Sequence, residues 1–64
     1  MNRNDELLSV AQVLTLLGGV PLRTFYRWRE IGKAPAAVKL PNAELRFWRS
    51  EVLAWLDGRR EDAA

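Results

Sequence analysis

Sixty-four residues make one compact domain and leave no room for a second, since a hydrophobic core rarely forms in much less chain; this excludes most enzymes. The chain is 48% hydrophobic with three Trp, two Phe and one Tyr, too apolar for a disordered tail. The absence of Cys and His removes disulfides, thiolate or imidazole metal sites and Ser-His or Cys-His nucleophile pairs. No metal, cofactor or catalytic residue is expected. No apolar run approaches the roughly 18 residues of a membrane span, and Met1-Asn2-Arg3-Asn4-Asp5-Glu6 is not a signal peptide, so a soluble, cytoplasmic protein is expected.

The net charge of +2 hides an uneven distribution. Residues 23–49 hold Arg23, Arg27, Arg29, Lys33, Lys39, Arg46 and Arg49 against only Glu30 and Glu44, while acids outnumber bases on either side. Basic charge concentrated in this way and interleaved with aromatics is the footprint of a nucleic-acid surface; a solvated basic face would show the same charges.

Ser9 with Gln12 three positions on forms a capping box, flanked by Leu8 and Val13 as a hydrophobic staple, and starts a short helix. Val10, Val13, Leu14 and Leu17 make its apolar stripe, which ends at Gly18-Gly19. About three residues later Pro21 suits a first helical turn, and Leu22 to Ile31 run as a second helix that Gly32 stops. Two short helices joined by a tight glycine turn satisfy the helix-turn-helix pattern. On a helical wheel Phe25 and Trp28 form the dry side of the second helix, while Arg23, Tyr26, Arg27 and Glu30 cluster opposite. Arginine matches guanine edges and phosphates, and an exposed Tyr can stack or hydrogen-bond; the bland reading of that face is contact with water.

Val38-Lys39-Leu40 and Leu45-Arg46-Phe47 alternate around Pro41-Asn42-Ala43-Glu44 and read as a β-hairpin. With a four-residue turn, Leu40 faces Leu45, Val38 faces Phe47 and Lys39 faces Arg46, an apposition of like charges that an anion over that face would relieve. A third helix opens at Arg49-Ser50-Glu51, with Ser50 as N-cap and Glu51 set against the helix dipole. It buries Val52, Trp55 and Leu56 and ends at Gly58. Trp48 falls on the outer face by strand alternation, but its place at the hairpin's exit favours packing beneath this helix. Residues 1–6 and 59–64 are expected to fray. The fold class is mainly α with a small β-hairpin, a single winged helix-turn-helix domain over residues 1–64.

The ordered series Leu8-Ser9-Val10-Ala11-Gln12-Val13, Leu16-Leu17-Gly18, Val20, Thr24-Phe25-Tyr26-Arg27-Trp28, Gly32, Pro35, Leu45-Arg46-Phe47, Arg49-Ser50-Glu51-Val52 and Ala54-Trp55-Leu56 resembles the small winged helix-turn-helix proteins of the MerR-like excisionase group, over almost the whole chain. The phage and plasmid members of that group are excisionases, or recombination directionality factors, and close relatives are small transcriptional regulators. The resemblance implies that the second helix enters the major groove through Arg23, Tyr26 and Arg27, with Thr24 near the backbone, and that a wing around Lys39, Asn42 and Arg46 reaches the minor groove. Two departures stand out. Pro21 replaces the usual capping Ser of the second helix, and Glu44 puts a carboxylate in a wing tip that usually carries glycine or bases, where it would meet phosphate or turn toward Arg46 or a neighbouring protein molecule.

The expected function is that of a monomeric, non-enzymatic protein that binds double-stranded DNA. Copies would associate cooperatively on adjacent sites, bend the DNA and direct an integrase or other recombinase toward excision in a bacterial host cell. Only six residues follow Gly58, which argues against a MerR-type dimerisation helix. A small transcriptional regulator would use the same residues, and a protein-interaction module would use Arg23, Tyr26 and Arg27 as hot spots against an acidic partner.

Overall fold

The computed structural model describes residues 5–61, and the elements follow in the order β1 (Leu7–Ser9), α1 (Val10–Leu16), α2 (Leu22–Glu30), β2 (Val38–Lys39), β3 (Leu45–Trp48) and α3 (Arg49–Asp57). The core takes one buried side chain from each of five elements: Leu8 from β1, Val13 from α1, Phe25 from α2, Phe47 from β3 and Val52 from α3. Val10, Leu14, Leu17, Val20, Trp28 and Leu45 pack around them. Helices of seven and nine residues are too short to persist alone in water, so this shared core stabilises them more than their propensities do.

Local signals set the helix ends. At α1 the Ser9 N–H donates to Gln12 Oε1 (2.8 Å) and the Gln12 N–H donates to Ser9 Oγ (3.2 Å), the reciprocal capping box. Gly18 and Gly19 both hold φ near +91° and turn the chain toward α2, whose N-cap is Pro21, one place before the first-turn position expected. Pro21 supplies no side-chain cap. The far end of α2 closes in a Schellman motif, with Gly32 at φ +72°, its N–H donating to the Arg29 carbonyl (3.2 Å) and the Lys33 N–H donating to the Trp28 carbonyl (2.8 Å).

Three features of the sheet and third helix differ from the sequence reading. The sheet has three strands in the order β1-β3-β2, all antiparallel neighbours, with Leu8 opposite Phe47 and Ser9 opposite Arg46. The extended backbone that Ser9 needs as an N-cap (φ −76°, ψ 167°) continues backward through Leu7 and supplies the extra strand.

The hairpin register is also one residue away from the expected one: Val38 lies opposite Arg46 and Lys39 opposite Leu45. The turn is the cause. Ala43 N–H donates to the Leu40 carbonyl (2.8 Å), Leu40 N–H donates to the Glu44 carbonyl (2.8 Å), and Ala43 takes φ +70°. A type I turn with Pro41 at its second position, followed by a left-handed residue, makes a three-residue loop where four residues were expected. Lys39 and Arg46 therefore sit on opposite pleats, and the like-charge pair with its shared anion does not form.

At α3, Trp48 occupies the N-cap without a side-chain cap bond, and Ser50 lies inside the first turn instead of capping it. Asp5 caps the helix from 45 residues away: its carboxylate accepts from the Ser50 N–H (3.1 Å) and from the Ser50 hydroxyl, while the Glu6 carbonyl accepts from the Arg49 N–H (2.8 Å). Asp5 and Glu6 are thus bonded to α3 where a frayed end was expected, and at the other end the Arg59 and Arg60 N–H groups donate to the Leu56 and Asp57 carbonyls (3.0 and 3.2 Å); the expected fraying at 1–4 and 62–64 lies outside the described residues. Trp48 is half-buried and lies opposite Leu7, on the pleat facing away from Phe47.

Asp5→Ala should destabilise the protein by about 1 kcal/mol, the usual worth of a cap, and lower its midpoint by about 4–8 °C. Ser50→Ala should cost less, because the Asp5 carboxylate keeps the backbone N–H. Thermal melts followed by circular dichroism give the ranking, and the reverse order would return the capping role to Ser50.

Candidate nucleic-acid interface

The core contacts of α2 decide which of its side chains face outward. Phe25 is fully buried against Phe47, ring centroids 5.6 Å apart and nearly edge to face, and Trp28 packs on the same core. Arg23, Arg27 and Glu30 are then exposed and Thr24 is half-buried. Tyr26 stays 41% exposed while its ring meets the edge of Phe25 at 6.3 Å and 76°, so it projects from a fixed base. The missing side-chain cap at Pro21 leaves the first-turn N–H groups of α2 without a side-chain acceptor, at the helix end that carries partial positive charge.

An open groove separates α2 from the wing. Tyr26, Arg29 and Glu30 line one wall, Lys39, Glu44 and Arg46 the other, and Ser9, Val10 and Ala11 lie along it as well. Of the residues singled out in the sequence, the groove brings together Tyr26, Lys39 and Arg46; Arg23, Thr24, Arg27 and Asn42 lie outside its lining. Arg29 is the residue that sequence reading missed. It stands one turn from Tyr26 and was assigned to neither side of the helix, whereas the i to i+3 spacing from Tyr26 was the available signal.

The wing is tied internally. An Arg46 terminal nitrogen donates to Glu44 Oε1 at 2.8 Å, and its other terminal nitrogen donates to the Leu45 carbonyl at 2.8 Å. Glu44 thus turns toward Arg46, one of the alternatives open from the sequence. The Glu44 N–H in turn donates to Asn42 Oδ1 (3.0 Å), an Asx turn that occupies the side-chain oxygen of Asn42 and leaves its NH₂ group to donate outward. Lys39 is exposed and in no ion pair among the described residues.

The sequence of residues 7–60 matches the family model described as a helix-turn-helix domain, a span that takes in every helix and strand described above. The chain belongs to this helix-turn-helix domain family. Domains of the family are DNA-binding, non-catalytic modules, and this helix-turn-helix domain adds the short antiparallel hairpin of a winged variant. Searches of curated proteins and of solved structures return no match. Among the described residues of the domain no cluster of acidic side chains could hold a metal ion, and no helix is long and apolar enough to cross a membrane.

Glu44→Ala should release Arg46 for phosphate. Arg46 is half-buried and Glu44 exposed, 29% and 57% for the two side chains, so water still reaches the pair and its loss should move stability by less than about 1 kcal/mol. Duplex binding should tighten and the slope of log K against log salt should steepen by about one; salt titrations of variant and parent give both quantities, and an unchanged slope would place Arg46 away from the phosphates.

Proposed function

We propose that this domain is an architectural, sequence-specific binder of double-stranded DNA, of the excisionase kind. Helix α2 enters the major groove with Arg23, Tyr26 and Arg27 toward base edges, Thr24 beside the backbone, and the wing residues Lys39, Asn42 and Arg46 toward the minor groove. The observation that carries this reading is the exposure of Arg23, Tyr26 and Arg27 together on one side of a helix whose other side is locked into the core by Phe25. Arginine and tyrosine so held keep their reach while the helix beneath them stays fixed, which is the condition for reading a base edge.

The wing reaches DNA under restraint. Asn42 spends its carbonyl oxygen inside the turn and Arg46 is paired with Glu44, so Lys39 is the wing cation readiest to meet a phosphate. Arg29, from the groove wall, joins these residues. A domain this small buries only about 600–1,000 Å² on DNA, too little to mark one site among very many, so several copies acting together on neighbouring sites fit the role of directing a recombinase toward excision. A small transcriptional regulator, the second reading, would use the same face on fewer sites.

Arg27→Ala should weaken binding to its preferred duplex by about 1–3 kcal/mol and relax preference at one base position if its contact is bidentate; Arg23→Ala should do likewise or weaken all duplexes evenly. Selection of preferred duplexes from a random pool, then gel shifts with each variant, measures this, and two folded variants that bind like the parent would remove α2 from the reading role.

Cooperation has a separate readout. Sedimentation of the free protein should show a single protomer, while titration of DNA with tandem sites should be steeper than with one site, because neighbours held on one duplex meet at high effective concentration. A stable free dimer, or independent filling of tandem sites, would point to a conventional repressor instead.

A further inference from the structure

On the flank of α2 away from the wing, a second depression opens between α2 and the end of α3. Its lining is Trp28, Ile31, Lys33, Trp55 and Arg59. The two indoles lie 6.1 Å apart at a tilt of 39°, and the Arg59 guanidinium stands over the Trp55 ring at 5.3 Å. Ile31 is 55% exposed, more than any other large aliphatic or aromatic side chain described.

Three properties give this notch a chemistry. It is walled by rigid aromatic surface: Trp55 Nε1–H is already used, donating to the Lys33 carbonyl at 3.1 Å, which fixes the ring and spends its one polar group. It is rimmed by two cations, Lys33 and Arg59, neither in an ion pair with a carboxylate among the described residues; the nearby acid Asp57 is engaged by Arg60 at 3.4 Å. And it is small, about 180 Å³, below the roughly 300–1,000 Å³ of sites that enclose a whole small molecule. That size suits one inserted side chain, with the remainder of the ligand lying over the rim.

We propose that this notch is a docking site for an acidic peptide segment of a partner protein, one that inserts a single aromatic or large aliphatic anchor between Trp28, Trp55 and Ile31 and sets flanking carboxylates against Lys33 and Arg59. Aromatic and arginine side chains are the ones that carry binding energy at protein interfaces, and the cations choose the sign of the partner's charge. Double-stranded DNA is the poorer occupant, since its phosphates would use the cations and leave the apolar walls uncovered. The site does not depend on the DNA reading, but if α2 reads DNA through Arg23, Tyr26 and Arg27, the notch stays open on the bound protein, because Trp28 projects from the helix well away from those residues.

The probe is a labelled pentapeptide with a central phenylalanine flanked on each side by aspartate and glutamate, titrated into the full chain and followed by fluorescence anisotropy and by the indole N–H signals in NMR. Saturable binding with a dissociation constant in the range of about 0.1–1 mM is expected, with the largest shifts at Trp28 and Trp55. Ile31→Ser and Arg59→Glu change exposed side chains, and each should weaken binding about tenfold or more while melting curves confirm folding. Replacing the phenylalanine by serine should weaken it similarly. Equal binding of the serine peptide would reduce the effect to bulk charge, and shifts centred on Arg23 and Arg27 would place the peptide on the wrong surface; either overturns the proposal. So does displacement of the peptide by a mixed-sequence duplex. Arg27→Ala separates the two readings, since it should alter DNA binding and leave the peptide affinity unchanged.

Discussion

The contact between Phe25 and Phe47 is the one on which the remaining structure rests. It joins the outward-facing helix to the central strand of the sheet, and both rings are fully buried. Everything that positions a side chain for recognition passes through it: Tyr26 leans on Phe25, the wing strand β3 extends from Phe47, and α3 follows β3 without a break. In a chain of this size stability is on the order of 3–10 kcal/mol, and the core has a single buried side chain from each of five elements, ringed by partly buried ones. Loss of either ring would therefore affect α2 and the wing together.

That economy explains how the functional surface is distributed. Each element except β2 gives one face to the core and keeps the other, so the outward side of α2, the wing and the α2–α3 flank are three separate surfaces on one small body. The wing groove contains charges of both signs, with Glu44 occupying Arg46. The side of α2 with Arg23 and Arg27 has no such restraint among the described residues. Under the proposed function, affinity for a polyanion would be concentrated on the helix, while the wing would contribute through Lys39 and through whatever competes Arg46 away from its carboxylate.

Much of this was legible in the sequence where the signal was local. The capping box at Ser9, the apolar stripe of α1, the division of α2 into Phe25 and Trp28 against Arg23, Tyr26 and Arg27, and the stop at Gly32 all depend on residues within one or two turns of each other. What failed depended on partners far along the chain or on an uncommon backbone state. Leu7–Ser9 has no alternation of its own to mark a strand and becomes one only beside β3. Asp5 and Ser50 are 45 positions apart, so Ser50, a good capping residue by type, was given a role that Asp5 performs. The hairpin register turned on whether Ala43 would enter the left-handed region, which a non-glycine residue enters at a cost of about 1–2 kcal/mol. That single choice moved Lys39 away from Arg46, and with it the electrostatics expected of the wing.

Lys33 joins the two ends of the outer structure through its backbone alone. Its N–H closes the last turn of α2 on Trp28, and its carbonyl holds the indole of Trp55. One peptide-length bracket therefore couples the pose of α2 to a tryptophan of α3, and the helix cannot tilt on its seat without displacing that indole. Because indole emission responds to the polarity and hydrogen bonding around the ring, the protein carries an intrinsic optical gauge of its own outward-facing helix, placed away from that helix's exposed arginines.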